Sequence, residues 1–493
     1  MDTAAYVSFA LSSPPAKAYF VSPLYLYFLR AFGVSLLVAR VAQIVLGSAA
    51  VVLIFDMTRR WFGDRAANIA ASLAILTGVI SFYEITILPA ALDPFLIALT
   101  LSLLTYALQT RDTIVVACTG IALGLFVLNR PNALLCVPAV VIALAWIRGW
   151  RAALMALTAF VVALAPFTIR NYVVAHQFVP IASHGGLNFY IGNNRDADGT
   201  YHHVEGIRPT IVGQDEDAPR VEAQFGSFYA RAFDWMRANP LRAGALFLRK
   251  LAYTFNRIEL TLNYSYSYFV NDARSPLPLL VAGPLILFPL GIVGAVLNLR
   301  NRAFAAWWAF VPLYAISVAL FFVSSRYRMP LLIPMCVTSA AMFIRPRWPA
   351  WAAAVVLAIG VSWNFGLDDG RAHERTNMIV YLIEQYRFDD ADKLIASTDA
   401  MTRDRKTLHD RSAEAYRAVA VASVRSNQAD TALRGFEAAH ALDPADASDL
   451  LNIAVLQAQH GDIDAARENA RAALRLRPGY SQAEGLLQAL KTP

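Results

Sequence analysis

Charge is what this sequence has least of. Only 16% of its 493 residues are Asp, Glu, Lys or Arg, against about 25% in ordinary soluble domains, which excludes a wholly soluble globular protein. Cysteine is almost missing as well. Cys118, Cys136 and Cys336 each sit inside an apolar run with no CxxC pairing, so neither a disulfide framework nor a zinc site is indicated, and the three read as small core residues. The opening stretch, MDTAAYVSFALSSPPAKAYFVSPLYLYFLR, has no basic leading segment and no small-residue cleavage site after a short apolar core, which excludes a cleavable signal. Nor is there a single basic patch. The formal charge is +7 and the pI about 9.3, yet the arginines fall in small groups between apolar runs, the pattern of membrane topology and not of nucleic-acid binding.

Apolar sequence is what the chain has in plenty, 57% by residue with mean hydropathy +0.44. Runs long enough to cross a bilayer, roughly 17 to 25 residues, are expected near 33–55, 66–84, 91–108, 112–129, 132–148, 152–169, 276–298, 303–323, 327–344 and 348–365. The fold class is therefore all-α, a polytopic transmembrane bundle over residues 1–365. Alternate turns carry Arg59, Arg60 and Arg65, then Arg111, Arg148 and Arg151, Arg300 and Arg302, and Arg345 and Arg347. Those turns are expected in the cytoplasm.

The opposite turns then face outward. They hold the first loop with Asp2 and Tyr6, the turn from Glu84 to Asp93, Asn129-Arg130-Pro131, the long segment 171–275, and Ser325-Arg326-Tyr327-Arg328. Arg130, Arg326 and Arg328 break the positive-inside trend, and ionisable groups at the bilayer boundary suggest a ligand, here an anionic headgroup; snorkelling to the interface is the rival reading. Asp93, followed by Pro94, also suits a helix N-terminus. One cap does not account for three acids and three arginines on one face. Such a set suits transfer from an anionic leaving group, with arginines on a phosphate and a carboxylate taking a proton from an attacking hydroxyl.

These residues carry a family resemblance. Asp2 with Tyr6, SPLYLYFLR, LLVARVAQIVLGS leading to RRWFG, GLFVLNRPNALL, PFTIRNYVVAHQFVPIASHGGLNFYIGNN and SSRYRMPLLIPM together resemble membrane glycosyltransferases of the GT-C fold, of the protein O-mannosyltransferase and aminoarabinose transferase type. The resemblance covers most of residues 1 to 345. It implies that Asp2 activates the acceptor, that Asp93, or else Glu84, is a second acid, and that Arg326 and Arg328 hold the phosphate of a polyprenyl-phosphate sugar. Arg130, Arg170 and Asn171 match recurrent positions, and Arg40 is a candidate partner for an acid inside the bundle. It also implies the outer face of a bacterial-type inner membrane, a protein, lipid or glycan acceptor, no organic cofactor, and a divalent cation left open. In that family the first acid follows a membrane helix, so a further span is expected upstream of Met1.

The segment 171–275 opens with Gly185-Gly186 and Gly192-Asn193-Asn194, expected to adopt unusual backbone angles close to substrate. Two amphipathic stretches, 216–238 and 240–258, are expected to lie on the membrane over the site. Asn194, Asp196, Asp198, Gly199 and Glu205 have the spacing of a calcium loop, although Asn stands first and no helix clearly precedes it. A plain polar loop explains them as well.

After residue 366 the composition turns to soluble helix. Pro444 and Pro478 stand one tetratricopeptide period apart. Tyr416, Ala420, Ala432, Phe436 and Ala439, and then Leu450, Ala454, Ala466, Ala470 and Ala473, fit that repeat's packing positions. An α-solenoid over 366–493 with a face for a protein partner is expected. Two other readings of the whole stay open. A transporter of lipid-linked sugars would show broken helices and polar residues at mid-membrane, of which there are few; a non-catalytic scaffold would leave the outer acids without a use.

Overall fold

The computed structural model describes the chain apart from residues 1, 12–16, 34, 209–210, 345–346 and 491–493; of residues 2–5, 11 and 211–212 it describes the backbone alone. The described elements are helices, and a single isolated β-bridge joins Thr77 to Ala282. They form two compact units, Met1–Asp369 and Gly370–Pro493.

A bilayer offers no water to backbone N–H and C=O groups, so an apolar run in it closes its own hydrogen bonds as a helix. Six helices of the first unit are long and apolar enough to cross a membrane: Leu36–Phe62, Pro89–Gln109, Pro131–Arg148, Trp150–Ala175, Arg302–Leu320 and Ser325–Ile344. Thr113–Asn129, Pro284–Val296 and Trp348–Val361 are shorter apolar helices. Leu37, Val41, Val45 and Val52 on the first, and Val161, Val162 and Ile169 on the fourth, are exposed, the outer surface a lipid-facing helix presents. Pro89–Gln109 and Ser325–Ile344 lie largely inside the bundle.

Small residues set the close contacts, as they do between membrane helices generally. A Cβ on Gly120 would stand 2.1 Å from the Ala156 carbonyl oxygen, and one on Gly294 would stand 2.0 Å from that of Thr338. Gly294→Ala is therefore expected to destabilise the bundle by about 1–3 kcal/mol of overpacking, read as a lower unfolding midpoint in detergent; an unchanged midpoint would show that the two helices separate freely.

Two expected elements differ from those found. The run 66–84 is two helices, Asp64–Ile75 and Gly78–Glu84. The break is held open because Ala282 N–H donates to the Leu76 carbonyl at 2.9 Å and the Tyr266 hydroxyl fills the space beside Gly78. The stretch 216–238 is likewise divided, into Ile211–Phe225 and Phe228–Ala238, by Gly226 at φ +86°. The next helix, Pro240–Phe255, exposes Leu241, Arg242, Leu248 and Arg249 and buries Leu246, Lys250 and Tyr253.

Three of the buried or partly buried helices start alike. Pro89–Leu92, Pro131–Cys136 and Met329–Leu331 are 3₁₀ turns with proline in the first two positions, where a missing N–H costs nothing. Asp93, Arg130 and Arg326 flank those tight starts, so the fold gathers at one cluster of loops what the sequence spreads over more than two hundred residues.

The second unit pairs Arg371–Glu384, Phe388–Asp399, Arg405–Arg425, Ala429–Leu442, Ala447–Gln459, Ile463–Leu476 and Ser481–Ala489 in sequence. Ala432, Ala439, Ala454, Ala466, Ala470 and Ala473 are fully buried, and Pro444 and Pro478 follow corresponding helices. Arg417 reaches Asp443 and Asp449, both at 2.8 Å, and Asp446 at 3.5 Å, tying one helix pair to the next.

Candidate active site

Asp93 begins the helix Asp93–Gln109 and is completely buried. Asn129 Nδ2 donates to its Oδ1 at 2.8 Å, and also to the Pro89 carbonyl at 2.8 Å; Arg130 Nη2 donates to its Oδ2 as an ion pair. The carboxylate therefore does more than cap a helix. It fixes the guanidinium of Arg130, whose centre lies 5.1 Å from the Tyr327 ring.

Arg326 stands at the same ring, 5.0 Å from its centroid. Its Nη2 donates to the Tyr327 hydroxyl at 3.2 Å, and its Nη1 to Asn263 Oδ1. Two cations on one aromatic ring is a favourable arrangement singly but a repulsive one for the pair, unless an anion sits between them. Tyr327 is itself held by its carbonyl, which accepts from the Tyr314 hydroxyl at 3.0 Å.

Arg328, expected on the phosphate, turns to backbone carbonyls and Glu259. It is 1% exposed, and it donates to the carbonyls of Tyr253 at 3.1 Å, Ile258 at 2.6 Å and Asn256, with Glu259 at 3.2 Å as its ion-pair partner. A guanidinium with its donors on carbonyls organises the loop 253–259 and has little left for a phosphate. Glu259 is an acid that nothing in the sequence singled out. It lies within electrostatic range of Tyr83, as do Arg130, Arg326 and Arg328, so three guanidinium groups and two carboxylates share this region with an excess of positive charge.

The other candidates are placed as follows. Asp2 opens the helix Asp2–Leu11, and its side chain lies outside the described residues. Tyr6 is buried, edge-on to Tyr25 at 5.8 Å. Glu84 ends the helix Gly78–Glu84 with its carboxyl group over Gly47 of Leu36–Phe62, where a Cβ would stand 2.1 Å from Oε1; Gln43 Nε2 holds its backbone carbonyl at 2.6 Å. Glu84 and Asp93 are thus held by different elements. Arg40 donates to the Ile85 carbonyl at 3.1 Å, a backbone oxygen where an acid was expected. Arg170 lies over Tyr19 at 4.1 Å and donates to the Lys17 carbonyl at 2.9 Å. Asn171, fully buried, accepts from Tyr19 N–H at 3.0 Å and donates to the Ile181 carbonyl at 2.9 Å, so it joins the loop at 181 to the segment at Tyr19.

Asn193 is also buried. It donates to the Leu320 carbonyl at 2.7 Å and accepts from Lys250 Nζ at 3.0 Å; Lys250 donates further to the Gly192 and Phe321 carbonyls at 3.0 and 2.8 Å. Burial pulls the Lys250 ammonium down to about 7, opposed by these three acceptors, which favour the charged form. Gly185, Gly186 and Gly192 are helical and none has a positive φ. Their lack of a side chain serves close approach, since a Cβ on Gly192 would lie 2.1 Å from the Phe321 carbonyl. Asn194 accepts from Asp196 N–H and Asp198 from Thr200 N–H, at 2.8 and 2.7 Å. The candidate calcium spacing is thus spent on local turns, and among the described residues no three metal-ligating side chains gather.

Sequence reasoning missed Glu259, Lys250, Tyr327 and His184. Tyr327 and His184 lay inside quoted motifs, SSRYR and IASHGG; Lys250 and Glu259 gave no signal. Burial first, then the cations of Arg326 and Arg130, push the His184 imidazole down to about 4 against the pull of the Phe20 carbonyl, so the ring is neutral near pH 7.

Residues 12–170 match the family model described as dolichyl-phosphate-mannose-protein mannosyltransferase. No curated protein matches the chain. Among solved structures it is similar to the Archaeoglobus fulgidus oligosaccharyltransferase in the apo form, at 14% identity and TM-score 0.39, over 78% of this chain and 54% of that one. It is also similar to the archaeal oligosaccharyltransferase from the same organism in complex with an inhibitory peptide and a dolichol-phosphate, at 15% identity and TM-score 0.35, over 80% of this chain and 55% of that one. The chain spans about half the length of these structures. The match over 12–170 bears out the resemblance read from the motifs, and over those residues the chain is similar to membrane mannosyltransferases of that family.

Proposed function

We propose that this protein is a glycosyltransferase that moves a sugar from a polyprenyl-phosphate donor to an acceptor hydroxyl at the extracytoplasmic face of the membrane. The observation that carries the reading is the pair of guanidinium groups, Arg130 and Arg326, on the ring of Tyr327. A phosphate between them relieves their repulsion and gains charge-assisted hydrogen bonds. The family match supports a lipid-phosphate donor. In the step itself the acceptor oxygen forms a bond to the anomeric carbon, the carbon–oxygen bond to phosphate breaks, and the anomeric configuration inverts. Asp2 takes the hydroxyl proton, Asp93 holds Arg130 in place, and the two arginines stabilise the departing phosphate. The second unit serves as a tetratricopeptide-type surface for a protein partner or acceptor.

A cell-free assay with labelled polyprenyl-phosphate sugars tests this directly, since turnover is foreign to a transporter or a scaffold. Arg326→Ala is expected to raise the donor KM roughly tenfold to a hundredfold, the loss of about 1.5–3 kcal/mol from a hydrogen bond to a charged group, with the acceptor KM little changed. A change confined to the acceptor would move Arg326 out of the donor site.

A further inference from the structure

The helix Phe310–Leu320 ends a few residues before Arg326. At Phe321 the chain leaves the helical path, at φ −101° and ψ −127°. The carbonyls at a helix C-terminus find no partner along the helix itself, and here two of them are met from a distant segment. Asn193 Nδ2 donates to the Leu320 carbonyl at 2.7 Å, and Lys250 Nζ to that of Phe321 at 2.8 Å.

Lys250 is fully buried, and it gives its other two hydrogen bonds to the Gly192 carbonyl and Asn193 Oδ1, each at 3.0 Å. All three acceptors are neutral oxygens. An ammonium suits a helix C-terminus, where the aligned carbonyl dipoles leave partial negative charge. With its three donors spent, the lysine has none to give a ligand anion. The next residues are held from the same side: Val323 N–H donates to the Gly199 carbonyl at 2.9 Å, and Ser325 N–H to the Leu260 carbonyl at 2.8 Å. Gly199, at φ +106°, is packed so closely on the lysine stem that a Cβ there would stand 3.1 Å from Lys250 Cγ. Four hydrogen bonds from the segment 193–260 thus hold residues 320–325, and Arg326 follows directly.

We propose that Lys250 is a positioning residue for the lipid phosphate. By holding the Phe321 carbonyl against Gly192 and Asn193, it sets where the chain enters the short helix Ser325–Arg328 and so where Arg326 meets the donor. This rests on the glycosyltransferase reading. Lys250 contributes through Arg326 and makes no contact with the donor itself.

The test is a double-mutant cycle on the full-length protein, read as the dissociation constant for polyprenyl phosphate. Arg326→Ala alone is expected to weaken binding roughly tenfold to a hundredfold, and Lys250→Met, which keeps the stem and loses the donors, roughly three- to tenfold. Added to Arg326→Ala, the methionine substitution should cost less than about twofold, because a residue that acts through the guanidinium has nothing to act on once it is gone. Equal fold losses with and without Arg326 would make Lys250 a general support of the fold, and unchanged binding in the Lys250→Met single variant would show that residues 320–325 keep their place without it; either result overturns the proposal. If Lys250→Met does not fold, Lys250→Gln, which loses the charge and keeps N–H donors, takes its place in the cycle under the same two criteria. An Arg326→Ala variant that binds polyprenyl phosphate as tightly as wild type would overturn the donor-site reading itself, before Lys250 is compared.

Discussion

Arg130→Ala is expected to cost about 3–5 kcal/mol of stability, because it leaves Asp93 as an uncompensated buried charge, and to abolish transfer. Both members of the pair are nearly inaccessible, at 5% and 0% side-chain exposure, so water cannot replace the missing guanidinium. The informative comparison is the double variant Asp93→Asn with Arg130→Gln. Removing both charges restores most of the unfolding midpoint, since a neutral hydrogen-bonded pair carries no ion into the interior. It does not restore activity, because nothing then opposes Arg326 across the Tyr327 ring. Recovery of turnover together with stability would show that the pair is only a strut, and the phosphate would have to be sought elsewhere.

The second large effect is expected at the other end of the proposed chemistry. Asp2→Asn keeps the size of the side chain but cannot take a proton, and removal of a general base typically lowers the rate by about 10² to 10⁴. Donor binding should be unaffected, as the phosphate contacts lie on other segments. Near-normal turnover in the purified asparagine variant would remove Asp2 from the mechanism and shift attention to Glu84, held at Gly47, and Glu259, partnered by Arg328.

The bundle was legible in the sequence because each apolar run is long and its physics local: a segment without water must be a helix. The breaks were less so. Leu76 and Thr77 carry no helix-breaking residue, and the interruption depends on Ala282 and Tyr266, two hundred positions away. At the site, Asp93 and Arg130 could be named as types of residue in suspicious places, but not as each other's partner. Arg326 and Arg328 are alike in sequence and opposite in use. Two residues apart on one short helix they point in different directions, and only the loop carbonyls of residues 253–258 decide which one is consumed. Asn171 and Asn193 looked like substrate ligands for the same reason that makes them good internal ties, an amide that both donates and accepts. Lys250 lies within the amphipathic stretch 240–258 and Glu259 just beyond it, with nothing in the sequence to mark either, and tertiary packing buries both.

The pairing of Asp93 with Arg130 also bears on how the chain is made. Each charge alone would raise the cost of inserting its segment into a membrane, by about 2.5–3.5 kcal/mol at the centre of a helix and less at its end. The two residues border Asp93–Gln109 and Thr113–Asn129, helices that follow one another directly. They can therefore meet as soon as that hairpin leaves the ribosome, well before Arg326 exists. Translation thus supplies both partners of the neutral pair before the second cation, Arg326, is made.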